Sequence, residues 1–157
     1  MTHHYKDCGF DNVHLHSGFT VHETDYGAGT SIDKADELHA AIAFRLVTSM
    51  NRLSGQGVRY LRHYLGISQK QLADKVGTQR VTVARWEAKP HTPVPRPADR
   101  VFRLCVAHHV FDVDCVSYVV DVMDDMVEQP IDRMDFALNA PVDEGVVVED
   151  QKWSAYG

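Results

Sequence analysis

Between Val76 and Glu87 the chain reads VGTQRVTVARWE. Two arginines, a glutamine and two threonines surround a valine and a tryptophan three residues apart. Each of these polar types has a partner on the edge of a base pair. Arginine bonds guanine in bidentate fashion, glutamine bonds adenine likewise, and a valine can touch a thymine methyl. If Gln79 to Ala88 forms a helix, Val83 and Trp86 anchor one side of it. Gln79, Arg80, Val81, Thr82 and Arg85 are then left around the other side, as candidates for base contact. Gln69 and Lys70 begin the preceding helix, where backbone amides and polar side chains suit phosphate. Lys89 follows the candidate helix and is a third phosphate candidate, with His91 beside it. Trp86 could stack on a base, but its offset from Val83 favours core packing.

The charge distribution isolates this stretch. The chain has 157 residues and a formal net charge of −6. Residues 55–110 nevertheless carry ten bases against three acids, a local balance of +7. The flanks are acidic, at −3 over residues 1–54 and −10 over residues 111–157. A basic block between acidic flanks predicts a central anion-binding module. The acidic flanks confine the positive field to one face, so the chain stays soluble while that face attracts DNA. Hydrophobic residues make up 44% of the chain, enough for a modest core. No apolar run approaches the roughly 18 residues that span a bilayer, and the N-terminus MTHHYKDCGF has no apolar signal region. The expected location is therefore the cytoplasm, with no membrane partner. Cys8, Cys105 and Cys115 form no CxxC pair and fit reduced thiols.

The elements that would position the candidates follow from caps and periodicity. Residues 12–26 alternate apolar and polar positions on either side of Ser17-Gly18, which predicts a β-hairpin ended by YGAGT. Asp33 can cap a helix through about Ser49, with Leu38, Ile42 and Leu46 on one face. Ser54 caps a helix that puts Val58, Leu61 and Leu65 together and ends at Gly66. Ser68 caps the next, through about Val76, with Leu72, Ala73 and Val76 inward. Gly77 supplies the turn, and Thr78 is the expected cap of the helix from Gln79. Four prolines in KPHTPVPRP interrupt helix, and another is expected from near Pro97 with Val101, Leu104, Cys105 and His108 inward. Cys115 to Glu128 reads as an amphipathic helix with Val116, Val119, Val120, Met123, Met126 and Val127 as its apolar stripe. RMDFAL and EGVVVEDQKW read as two short strands around a loop containing Pro141.

Two short helices joined at Gly77 and braced by a third make a helix-turn-helix. In such a unit the second helix enters the major groove and its early residues reach base edges. LRHYLGISQKQLADKVGTQRVTVARWEAKPHTPVP, residues 61–95, resembles the Cro/cI-like (XRE) helix-turn-helix family. The matching features are Leu61-Arg62, Leu65-Gly66, Ser68-Gln69, Leu72-Ala73, Gly77, Thr82-Val83, Arg85-Trp86-Glu87 and Pro93. The resemblance implies a compact helical bundle over about residues 54–110. It implies that Gln79, Arg80, Val81 and Arg85 face bases and that Gln69 meets phosphate. A looser resemblance, in the N-terminal strands, linking helix and tryptophan-bearing helix-turn-helix, is to MqsA-type antitoxins. Those carry a zinc-binding domain with two cysteine pairs, whereas only Cys8 stands in that region here.

Other chemistry is thinly represented. His3, His4, His14, His16, His22 and Cys8 fall within 22 residues, and His14 and His16 share a strand face. No pair has a finger-like spacing, so no metal and no cofactor is expected. Ser68 is a cap and the Asp124-Asp125 pair is the wet side of a helix. No phosphate loop, paired catalytic carboxylates or HExxH appears, so no enzyme is expected. The fold expectation is α+β, mainly α. It comprises a lambda-repressor-like helix-turn-helix bundle, an N-terminal hairpin plus helix, and a C-terminal helix plus short strands. The expected segments are 1–53, 54–110 for DNA binding, and 111–157 for dimerisation or a partner. The expected function is a dimeric repressor on double-stranded DNA with a pseudo-palindromic operator. The alternative is an antitoxin whose acidic C-terminal region or N-terminal hairpin masks a basic toxin protein.

Overall fold

The computed structural model describes residues 1–139 and 152–155. The elements run β1 (His3–Tyr5), β2 (Val13–Leu15), β3 (Phe19–Thr24), β4 (Gly27–Ile32), α1 (Ala35–Thr48), α2 (Gly55–Leu65), α3 (Gln69–Val76), α4 (Arg80–Glu87), α5 (Arg96–Val110), α6 (Val113–Val122), β5 (Met134–Asn139) and β6 (Lys152–Ala155). The architecture is α+β and mainly α. Two compact units divide the chain, Met1–Ile42 with Arg133–Gly157, and Ala43–Asp132. The expected segments 1–53, 54–110 and 111–157 do not coincide with these units, because β5 returns to pair with β2.

The first unit holds a four-stranded sheet in the order β1-β2-β5-β6. The β2–β5 pair is parallel and its neighbours are antiparallel. Val13, Leu15, Met134 and Phe136 are buried, and they alternate with the half-buried His14 and Asp135. That alternation places one apolar face inward along each strand. The expected hairpin about Ser17-Gly18 is corrected here. The hairpin is β3–β4, paired from Phe19↔Ile32 to Thr24↔Gly27, with Tyr26 in its turn and GAGT beginning its second strand. Gly18 lies instead where the chain passes from one sheet to the other. Its φ is +79°, and a Cβ there would lie 2.5 Å from the Trp153 ring, so only glycine fits. The strand RMDFAL is present as β5. Of EGVVVEDQKW, only Lys152 and Trp153 fall within the described residues, in β6, and Pro141 lies outside them.

The second unit is helical. Leu46, Val47, Leu53, Val58, Leu61, Leu72, Val83, Phe102, Val106 and Val119 are buried in it. The inward face of α5 differs from expectation. Val101 and His108 are exposed, and Leu104 and Cys105 are half-buried. Ala98, Asp99, Phe102, Arg103, Val106 and Ala107 face in. The face turns because Arg103, fully buried, is a core residue. Its guanidinium donates to the carbonyls of Leu46 and Val47 at 3.0 Å, of Asn51 at 2.9 Å and of Ser49, and to Asp99 Oδ1 at 2.8 Å. The C-terminal carbonyls of α1 have no partners within their helix, and one arginine supplies them.

The amphipathic helix expected over Cys115–Glu128 is also shorter. It ends at Val122, followed by a single 3₁₀ turn at Met123–Asp125. The main chain then leaves helical geometry to pair with the α1–α2 linker. Val127 N–H donates to Met50 O at 2.8 Å, and Arg52 N–H donates to Val127 O at 3.1 Å. Cys115 and Val119 are buried, while Val120 and Val127 are about half exposed. Of the expected stripe, only Val119 is buried, Val116, Met123 and Met126 are half-buried, and Val120 and Val127 face outward.

Candidate nucleic-acid interface

Local signals build the helix-turn-helix one cap at a time. The Ser54 hydroxyl accepts from Gly57 N–H at the start of α2, and Gly66 ends that helix in the left-handed region at φ 70°. Ser68 and Gln71 form a reciprocal capping box at the start of α3. Gly77, at φ 76°, closes α3 and turns the chain toward α4. The expected cap at Thr78 is corrected to Gln79, whose side chain makes no capping bond. Thr78 is spent on the turn instead, its N–H donating to Ala73 O at 2.9 Å. With no capping bond to hold it, the exposed Gln79 side chain is open to an outside partner.

Helix α4 is anchored on one side and bare on the other. Val83 is fully buried and Trp86 half-buried, so Trp86 packs inward as expected. Arg80, Val81 and Arg85 are exposed, with Val81 at 54% of its full surface, and Thr82 is half-buried. Val81 and Arg85 are four apart and share a face. Among the described residues neither Arg80 nor Arg85 has an ion-pair partner.

A buried polar network fixes the three helices to one another. Arg62 of α2 donates to Glu87 Oε1 at the end of α4, from Nε at 3.1 Å and from Nη2 at 2.7 Å. Its Nη1 donates to Ile67 O at 3.0 Å, in the α2–α3 turn. Gln69, the first residue of α3, donates from its amide to Glu87 Oε2 at 2.7 Å. The Glu87 side chain is 6% exposed, so the paired arginine and amide compensate a carboxylate removed from water. Of the three phosphate candidates, Gln69 is thus half-buried and engaged inside the unit. Lys70 reaches Asp74 at 3.3 Å in an exposed pair, and Lys89 is exposed.

A second brace holds the far end of α4. Gly55 N–H donates to Thr92 O at 3.1 Å and Gln56 N–H to Pro90 O at 3.0 Å, so the α2 N-terminus takes the chain that leaves α4. A Cβ on Gly55 would lie 2.0 Å from Trp86 O. Reading exposed side chains found neither the Arg62–Glu87–Gln69 network nor Gly55. The available signals were an opposite-charge pair within the matched motif, and glycines in the first turn of a helix that disfavours them.

Residues 58–96 match the family model described as helix-turn-helix. This segment is a Cro/cI-type helix-turn-helix domain. The family is one of DNA-binding regulator domains and not an enzymatic one. No curated protein and no solved structure matches the chain. Among the described residues no helix is long and apolar enough to cross a membrane.

The N-terminal histidines are a separate matter. His4 stacks on His14 with ring centroids 4.5 Å apart, and His14 Nε2 meets Asn12 Oδ1 at 2.8 Å. His16 Nε2 lies 2.8 Å from Asp135 Oδ1. Among the described residues no three His, Cys, Asp or Glu side chains converge to hold a metal. Asp135 bonds Arg133 and His16, and these hold its carboxyl down at about 2 against the opposing effect of burial. His4, His14 and His16 hydrogen-bond or stack on the polar face of the four-stranded sheet.

Proposed function

We propose that the chain is a sequence-specific transcriptional repressor, acting in the cytoplasm as a homodimer on a pseudo-palindromic operator. The observation that carries this reading is α4 itself. One side is buried at Val83, and the other leaves Arg80, Val81 and Arg85 exposed behind an uncommitted Gln79. In this reading Gln79, Arg80, Val81, Thr82 and Arg85 read bases, and Lys70 and Lys89 hold phosphate. Gln69 contributes through its backbone at the start of α3, since its amide belongs to Glu87. A single helix-turn-helix reads few base pairs, so two copies about 34 Å apart supply useful specificity. Within residues 111–157 we assign the dimer contact to α6, which leaves Val113, Tyr118 and Val120 exposed. Repression then follows by occlusion of the promoter. The test is fluorescence anisotropy on a duplex selected from a random pool, together with sedimentation of the full chain. Selection of a palindrome by a dimer supports the reading. A chain that selects no sequence, or that stays monomeric at tens of micromolar, contradicts it.

One observation favours a second reading. From Leu104 to Asp132 there are seven acids and no Lys or Arg. A groove of about 450 Å³ opens there, lined by Phe44, Thr48, Asp112, Asp114, Cys115 and Tyr118. An apolar floor with an acidic rim suits a basic partner protein, as in an antitoxin that also represses its own operon. Neutralising Asp114 and Asp121 separates the readings. Under the antitoxin reading, co-purification with a basic gene neighbour is lost while DNA binding persists. Under the first reading, specific DNA binding also persists and only non-specific binding rises.

A further inference from the structure

The strap that follows α6 ends in a feature the DNA-reading account leaves unused. Glu128 forms ion pairs with both Arg52 and Arg96, one to each carboxylate oxygen. Arg52 precedes α2 and Arg96 opens α5, so the two guanidiniums come from separate elements and converge on one anion. Arg52 is held in place by a bond from Nε to Val94 O at 2.6 Å, and its side chain is 20% exposed. Arg100 Nη2, bonded to Met123 O at 3.1 Å, lines the same pocket of about 170 Å³, as do Asp99, whose carboxylate is held by Arg103, and the exposed Asp124. At roughly 30 Å³ per liquid water, that volume holds a small anion with a few waters.

Arg52 and Arg100 are the fixed part of this arrangement, each bonded to a backbone carbonyl, and the Arg96–Glu128 pair, with both side chains more than half exposed, is the movable part. Glu128 is about half exposed and stands on a segment outside any helix or strand. Its neighbour Val127 is tied by backbone bonds, so the Glu128 side chain can leave without unfolding the strap. A terminal phosphate group carries more charge and one more acceptor oxygen than a carboxylate, and a backbone phosphodiester matches the carboxylate in both. Planar guanidiniums in this disposition take either one.

We propose that Arg52, Arg96 and Arg100 form an oxyanion site for a phosphate group, and that Glu128 occupies it as a built-in competitor. The phosphate comes either from a nucleic-acid backbone or from a free phosphorylated small molecule. Only the first source rests on the DNA-binding reading. The titration with inorganic phosphate stands without DNA, so its failure is distinguishable from failure of α4 to read bases.

The experiment uses the full chain and inorganic phosphate as probe. In the wild-type protein the side-chain carboxyl ¹³C signal of Glu128 should move on adding phosphate, and should stay on adding chloride at equal ionic strength. Glu128→Gln should bind phosphate about tenfold more tightly or better, the return on an uncontested charge-assisted contact. Adding Arg96→Ala to that variant should abolish the gain. A second arm titrates duplex DNA. If backbone phosphate is the natural occupant, Glu128→Gln tightens all sequences alike and steepens the salt slope by about one unit. If a free phosphate compound is the occupant, phosphate binding improves and the DNA slope is unchanged. A wild-type Glu128 signal that phosphate leaves in place overturns the proposal, whether or not the variants fold. A gain in Glu128→Gln that survives Arg96→Ala also overturns it, because the anion then sits elsewhere.

Discussion

Helices α4 and α5 use the same residue type in opposite ways. Arg103 in α5 is fully buried, and the carbonyls of α1 and its linker together with Asp99 engage both of its terminal nitrogens, leaving only Nε without a partner among the described residues. Arg80 and Arg85 in α4 are exposed and have no ion-pair partner among the described residues. A guanidinium that finds its acceptors inside the fold is architecture. One left with none, on a helix anchored from behind, is available to a ligand. The local balance of +7 already sets Arg62 against Glu87, Lys70 against Asp74 and Arg103 against Asp99. Of the seven bases left, Arg96 answers Glu128 and Arg100 is half-buried, so Arg59, Lys75, Arg80, Arg85 and Lys89 are the exposed bases without ion pairs among the described residues.

The comparison predicts opposite signatures for arginine substitutions. Asp99→Ala should cost about 3–5 kcal/mol of stability, because it strands a buried guanidinium. Urea denaturation measures this, and a loss below about 1 kcal/mol would mean that the backbone carbonyls alone satisfy Arg103. Arg80→Ala and Arg85→Ala should leave stability within about 0.5 kcal/mol of wild type. Each should instead cost about 1–3 kcal/mol of specific binding and relax sequence preference. Arg62→Ala should fall between the two classes. It leaves the Glu87 carboxylate with Gln69 alone, so stability and specific binding should drop together. If binding falls with no change in melting temperature, Arg62 belongs with the exterior arginines.

Smaller effects sharpen the same division. Lys70→Ala should weaken all duplexes alike and flatten the salt slope by about one unit. In the sheet unit, Asp135 has its carboxyl depressed to about 2 by its bonds to Arg133 and His16. A depressed carboxylate contributes stability that is fully present above its unfolded value, about 3.9, and is lost as pH falls through about 2. Thermal melts from pH 5 down to 2 should show that loss, and Asp135→Asn should remove it. DNA affinity measured at neutral pH should not distinguish this variant from wild type.

The parts of the fold legible in the sequence were those written locally. Ser54, Ser68, Gly66 and Gly77 mark helix ends with side chains and backbone preferences that act within a few residues. Val83 and Trp86 likewise set the inward side of α4 by their spacing. Arg103 was not legible, because its acceptors lie at residues 46–51 and belong to a different helix end. Its burial turns the inward face of α5 away from the apolar positions that periodicity selects. The β2–β5 pairing joins Val13 to Met134, and nothing within either short strand names its partner. Glu128, the last residue of the expected amphipathic helix, clamps two arginines because the chain leaves helical geometry early to pair with residues 50–52. Neutralising it would disturb that clamp, so a test of the acidic face must spare it.

The most direct measurement of the central claim is a paired titration on the selected duplex and on a scrambled one, by fluorescence anisotropy at two salt concentrations. It compares the wild-type chain with the Arg80→Ala/Arg85→Ala double variant, after denaturation has shown both to be equally stable. The account predicts that the double variant loses most of the difference between the two duplexes, while residual binding to the scrambled duplex persists and remains salt-dependent. A double variant that still separates the two duplexes as sharply as wild type would contradict it, and would place base reading outside α4.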